Sequence, residues 1–227
     1  MIERCPKHGL FATDAKVGGQ GKCPKCAQEL ALNPVPPRTT VVAGQDLAKH
    51  RDFATYVSLQ IQEKVATVKR LYQWPHTDYS IVMEDTHRFY REDHARVLAV
   101  DLGNAGEPIV EQYRAFGVNA EGILFSLTTK DEMVTYLRNL LQRKRAGTPP
   151  YLVLPRSGEF VPELLAQMKE QERIIGASER PHYDHPQGRH DDLLWALSIA
   201  CYRARQWLSN PHWIIRVTPR DSFMSPL

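Results

Sequence analysis

The 227-residue chain has no apolar run approaching the length that spans a bilayer. It also lacks the succession of a signal peptide, because Met1-Ile2-Glu3-Arg4 leads straight into a cysteine motif. The expectation is a cytoplasmic protein with no membrane partner. Cysteine is scarce, with four in all and three of them within the first 26 residues. In a reducing compartment such clustering points to metal rather than to disulfides. A large charge excess is missing too: 29 Lys and Arg face 26 Asp and Glu, a net charge of +3. That balance is compatible with nucleic acid but does not argue for it. No Walker motif is present. Gly18-Gly19-Gln20-Gly21-Lys22 resembles a phosphate loop, but Cys23 stands where Ser or Thr should be and no strand precedes it. The chain is therefore not expected to carry an ATPase of its own. There is no internal repeat beyond two cysteine knuckles.

What is present divides into a small appendage and one sizeable domain. Cys5-Pro6-Lys7-His8 and Cys23-Pro24-Lys25-Cys26 each have the spacing that lets two ligands from one tight turn reach one ion. Together Cys5, His8, Cys23 and Cys26 predict a closed, tetrahedral structural Zn²⁺ site in a ribbon-like segment over residues 1–32. So short a segment has no core of its own, and the metal would supply its folding energy. The bland alternative is a redox dithiol at Cys23 and Cys26. A stiff proline-rich linker follows over 33–38.

From residue 39 onward strands and helices alternate. Thr39-Thr40-Val41-Val42-Ala43-Gly44 reads as a buried strand with Asp46 at its end. A half-buried strand is predicted over 53–61 and a third over 66–74, joined as an antiparallel meander. A charged helix follows over 76–94; its Glu84, Asp85 and His87 read as a solvated face. Arg96-Val97-Leu98-Ala99-Val100 is a second buried strand, ending at Asp101. Helices are expected from Glu107 to about Phe116, over 129–145 and over 161–171. Short strands are expected at 122–126 and, as an edge, 151–155. Residues 180–189 read as a His- and Pro-rich loop. The final element is an amphipathic helix opened by His190-Asp191-Asp192, with Leu193, Ala196, Leu197, Ala200, Cys201, Ala204 and Leu208 on its apolar stripe. Cys201 on that stripe is expected to be a buried, inert thiol.

One Asp at a helix start is explained by capping and by the helix dipole. Two adjacent carboxylates are not, since they repel unless a cation sits between them. If the strands ending at Asp46 and Asp101 are parallel neighbours, their carboxyl ends bring both acids together, and a helix across that edge can add Asp191 and Asp192. Such an oxygen-rich cage suits Mg²⁺ or Mn²⁺, and a pair of ions can activate water for phosphodiester cleavage.

The segments Val42-Ala43-Gly44-Gln45-Asp46-Leu47-Ala48-Lys49-His50-Arg51-Asp52, Leu98-Ala99-Val100-Asp101-Leu102-Gly103-Asn104-Ala105-Gly106 and His190-Asp191-Asp192-Leu193-Leu194-Trp195-Ala196-Leu197 resemble the nuclease domain of the large terminase subunit of tailed bacteriophages. The resemblance covers about residues 39–208. It implies an α/β fold, an RNase H-like mixed β-sheet flanked by helices, over 39–227. It further implies a metal-dependent endonuclease that cleaves double-stranded DNA by a two-metal mechanism, in viral DNA packaging or related processing. Asp46, Asp101, Asp191 and Asp192 would be its catalytic Mg²⁺ or Mn²⁺ ligands. Lys49, His50 and Arg51, with Arg143, Lys144 and Arg145, are candidate contacts to the DNA backbone. The family usually carries an ATPase N-terminal to the nuclease. Here the ribbon-like segment takes that place, so the expected partner is a separately encoded packaging ATPase. A Holliday-junction-resolvase-like nuclease and a non-catalytic DNA-binding adaptor with a zinc ribbon remain alternatives at this point.

Overall fold

The structure, a computed structural model, describes residues 2–5, 9–12, 39–47, 53–103, 106–142, 151–175, 181–184 and 190–208. The chain divides into two units, Met1–Arg38 and Thr39–Leu227. In the first, β1 (Ile2–Cys5) and β2 (Gly9–Ala12) form an antiparallel pair with Cys5 opposite Gly9.

The second unit is built on six strands: β3 (Thr40–Asp46), β4 (Ala54–Gln62), β5 (Val65–Trp74), β6 (Val97–Asp101), β7 (Ala120–Ile123) and β8 (Leu152–Val153). They lie in the order β7-β6-β3-β4-β5-β8. β3, β4 and β5 are the expected antiparallel meander, while β6 runs parallel to β3 and β7 parallel to β6. α1 (Tyr79–Glu92) and α2 (Gly106–Ala115) cover one face. Val41, Ala43, Tyr56, Leu98 and Val100 of the sheet bury against their Val82, Met83, Phe89, Val110 and Tyr113. The other face carries α3 (Leu127–Leu141), α4 (Val161–Glu170) and α5 (Asp192–Leu208), packed on Val42, Val57, Leu59, Ile61 and Val97. No helix among the described residues is long and apolar enough to cross a membrane.

Three expectations need correction. β4 is buried along nearly its whole length rather than half-buried. Helices cover both faces of the sheet, so Ala54, Tyr56 and Ser58 face a second core instead of water. Residues 181–184, read as loop, pair with 172–175 as a hairpin, β9 (Glu172–Ile175) and β10 (Pro181–Asp184). Their charged, His- and Pro-containing sequences lack the β-branched alternation that announces a strand. Finally, α5 is not amphipathic at its start: every residue from Asp192 to Cys201 is buried. It lies between the sheet and the two other helices of its face, so no side of its first turns meets solvent. Cys201 is fully buried as expected, and desolvation pushes its thiol pKa up.

Asp93, at the end of α1, is also buried. It accepts hydrogen bonds from Ser58 (2.7 Å) and from the Arg70 guanidinium (3.1 Å), locking α1 to β4 and β5. A register shift between β4 and β5 after Ser58 brings both Lys69 and Arg70 toward this carboxylate.

Candidate active site

β3 and β6 pair in parallel with Gln45 opposite Val100. One residue further on, each strand ends in a carboxylate, Asp46 and Asp101. The Asp101 side chain is fixed by its own turn, accepting the Gly103 amide at 3.0 Å. A Cβ at Gly103 would lie 2.9 Å from Asp101 Oδ2, so glycine leaves the carboxylate this position.

α5 brings the other two acids. It approaches β3 so closely that a Cβ at Gly44 would sit 2.5 Å from the Ala200 amide nitrogen, and nearer still to the Ala196 carbonyl oxygen. Three side chains pin its start. Thr55 of β4 donates to the Asp192 carbonyl at 2.9 Å. The buried Gln167 of α4 accepts the Leu194 amide at 3.0 Å, capping one of the N–H groups a helix start leaves over. Trp195 donates its indole N–H to Asp191 Oδ2 at 2.7 Å, one helical turn back. Asp192 is 8% exposed and lies 3.8 Å from His190 Nδ1. The His190 ring stands edge-on to Phe53 at 4.8 Å.

These four carboxylates share one electrostatic environment. The Asp46 pKa is raised well above the ordinary carboxylate value, first by burial and then by Asp192, Asp101 and Asp191, while Lys130 opposes the shift. Among the described residues, no group of three or more His, Cys, Asp and Glu stands at ligating distance from one another. The acids thus interact through charge without forming a closed ligand cage. As a donor set they fit a hard divalent cation: all are oxygen donors, and their repulsion is what such a cation would relieve.

Sequence reasoning did not identify Lys130, Thr55, Gln167 or Trp195 as parts of this site. Only Trp195 carried a local signal, its spacing of one turn from Asp191 on a helix. The remaining predicted site residues, His8, Cys23, Cys26, Lys49, His50, Arg51, Arg143, Lys144 and Arg145, lie outside the described residues; Cys5 ends β1. A cavity of ≈ 560 Å³ opens between α3, α4, α5 and the β9–β10 hairpin, but none of the four acids lines it.

A mixed sheet of this order, with helices on both faces and acids at the ends of two adjacent parallel strands, is the RNase H-like fold. Residues 43–203 match the terminase RNaseH-like domain model, and the chain belongs to that family. No curated protein sequence matches the chain significantly. Among solved structures it is similar to the large terminase nuclease of thermophilic phage G20c with bound magnesium. That match has 18% identity and a TM-score of 0.62, over 74% of this chain and 82% of that one. The Thermus phage P74-26 large terminase nuclease domain matches at 18% identity and TM-score 0.59, over 71% and 78% of the two chains. A mutant nuclease domain of the large terminase subunit of bacterial virus Sf6, solved with manganese and β-thujaplicinol, matches at 14% identity and TM-score 0.57, over 71% and 87%.

Proposed function

We propose that this protein is a divalent-metal-dependent endonuclease of viral DNA packaging, cutting double-stranded DNA at the site formed by Asp46, Asp101, Asp191 and Asp192. The observation that carries the reading is the convergence of these acids at the ends of β3 and β6 and the start of α5, where Asp192, Asp101 and Asp191 all raise the pKa of Asp46. Mg²⁺ or Mn²⁺ bound there, as a pair, would activate a water and stabilise the leaving oxygen. The chain's own residues do the positioning. The Asp101 turn and the Trp195 indole orient two of the carboxylates, while Thr55 and Gln167 hold the helix start against the strand ends. Lys49, His50, Arg51, Arg143, Lys144 and Arg145 contribute phosphate contacts that carry affinity without sequence preference. A packaging ATPase is the expected protein partner, and the host cytoplasm the place of action. The proposal is supported by relatives solved with magnesium, cobalt and manganese.

The deciding assay is incubation of the purified chain with supercoiled plasmid and either Mg²⁺ or Mn²⁺. Nicked and then linear products are expected, and EDTA should stop their formation. A linear duplex should be cut as readily as a four-way junction; strong preference for the junction would favour a resolvase instead. No cleavage with either ion would refute the proposal.

In the same reading residues 1–32 hold a structural Zn²⁺ through Cys5, His8, Cys23 and Cys26, and four protein ligands leave no open position for chemistry there. Elemental analysis should find about one zinc per chain. The Cys23→Ser/Cys26→Ser double variant should lose it; full zinc retention in that variant would eliminate these ligands.

A further inference from the structure

Lys130 lies in the first turns of α3, a helix capped by Ser126, whose Oγ accepts the Thr129 amide at 3.0 Å. Its ammonium nitrogen stands 4.7 Å from the centroid of the Trp195 ring and 5.3 Å from that of Phe125. The two rings pack on each other at 5.3 Å, making a two-sided aromatic seat. The Trp195 N–H edge meanwhile holds the Asp191 carboxylate. Lys130 is thus one indole away from the acid cluster, and its positive charge is felt at Asp46.

Aromatic faces attract an ammonium but accept none of its N–H hydrogen bonds in the way a carboxylate does. Among the described residues no carboxylate forms an ion pair with Lys130. The seat therefore holds the charge in place and leaves its donors available. A site made only of carboxylates repels the DNA phosphate it must receive. A fixed cation on its rim reverses that locally and gives the approach a direction.

We propose that Lys130 is the phosphate-binding cation of this site: seated over Trp195 and Phe125 beside Asp191, it contacts a DNA phosphate adjacent to the bond that is cut. This rests on the nuclease reading above. The bland role for the same geometry is a cation–π contact that merely props the Trp195 ring.

The test uses the full chain with Lys130→Met, which keeps the stem over the rings and removes the charge, and Lys130→Arg, which keeps the charge. The first readout is metal-free: affinity for a short DNA duplex in EDTA across a salt series. Lys130→Met should weaken binding and lower the logarithmic salt slope by about 0.9, the signature of one lost phosphate contact. The second is cleavage in Mg²⁺, expected to fall roughly 10²-fold in Lys130→Met, as for loss of one charge-stabilising donor, and to recover largely in Lys130→Arg. Melting temperature should be near that of the wild type in both. An unchanged salt slope in Lys130→Met overturns the proposal. So does a loss of cleavage that tracks a lowered melting temperature and is not rescued by Arg. If the wild type binds the duplex but never cuts, the nuclease reading falls, and the salt slope alone decides Lys130.

Discussion

Asp46→Asn is expected to abolish metal-dependent cleavage while the metal-free protein becomes more stable and binds DNA at least as well. Asn keeps the shape of Asp46 and removes its charge. The carboxylate sits at the end of a central strand, where burial and three further acids all disfavour ionisation. Burial and the neighbouring acids make its charge costly unless a cation compensates, so cation affinity and cleavage should fall together. The loss should exceed the roughly 10–100-fold typical of removing a group that merely supports a metal ligand. The stability change has the opposite sign. Because the folded-state pKa of Asp46 is raised, the folded protein binds more protons than the unfolded chain between the ordinary value of 3.8 and the raised one. The contribution of this group to stability is fullest below the ordinary value and is lost as pH rises through the raised one. In the wild type without metal, the contribution of Asp46 to stability should therefore decline on going from acid toward neutral pH, and the difference in stability between Asp46→Asn and the wild type should grow over that range. Above the raised pKa the variant should melt higher, by roughly 2–4 °C for each kcal/mol of repulsion relieved. Thermal melts in EDTA across pH and plasmid cleavage in Mg²⁺ measure the two effects. A variant that folds, binds DNA and cuts at the wild-type rate would remove Asp46 from the site and take most of the nuclease reading with it.

The acids could be found in the sequence because each stands at the end of an element with a strong local signal. Val41-Val42-Ala43 and Val97-Leu98-Ala99-Val100 are continuous apolar runs, as strands buried on both faces require, and Asp46 and Asp101 end them. Asp191 and Asp192 precede the one long apolar helical pattern near the end of the chain. β4 was harder to judge, since its Ala54, Tyr56 and Ser58 suit either a wet face or a second core. Only the packing of α1 on that side settles it, with Ser58 donating to the buried Asp93. The supports of the site are the least legible part. Thr55 meets the Asp192 carbonyl across 137 positions, and Gln167 meets the Leu194 amide across 27. Nothing in the neighbourhood of either residue announces its partner. Lys130 is likewise an unremarked helical lysine until the fold sets it over Trp195.

Gly44→Ala should damage folding and cleavage together, and it tests whether the closeness of α5 to β3 is what makes the site. Gly44 lies two residues before Asp46 on the strand face that meets α5, alongside Val42. An added methyl would run into the Ala196 carbonyl oxygen and the Ala200 amide nitrogen, with the Ala200 methyl only 2.9 Å away. The first two are backbone atoms of a helix interior, so no rotamer change can clear them. The helix must lift or tilt. Overpacking of this kind costs about 1–3 kcal/mol, which for a chain of this size lowers the melting temperature by roughly 2–4 °C per kcal/mol. Lifting the helix also draws Asp191 and Asp192 away from Asp46. Cleavage should then fall further than the unfolded fraction explains, even at temperatures where the variant is fully folded. Metal-free DNA affinity should change little, because no basic residue has been removed. The double variant Gly44→Ala/Ala200→Gly separates the causes. Were the clash chiefly with the Ala200 methyl, removing that methyl would restore stability and activity. Because the backbone atoms are the nearer obstacle, and glycine inside a helix itself costs about 1 kcal/mol, the double variant should melt no higher than Gly44→Ala. Full rescue by Ala200→Gly, or a Gly44→Ala protein that melts and cuts like the wild type, would show that the spacing between strand and helix does not control the site.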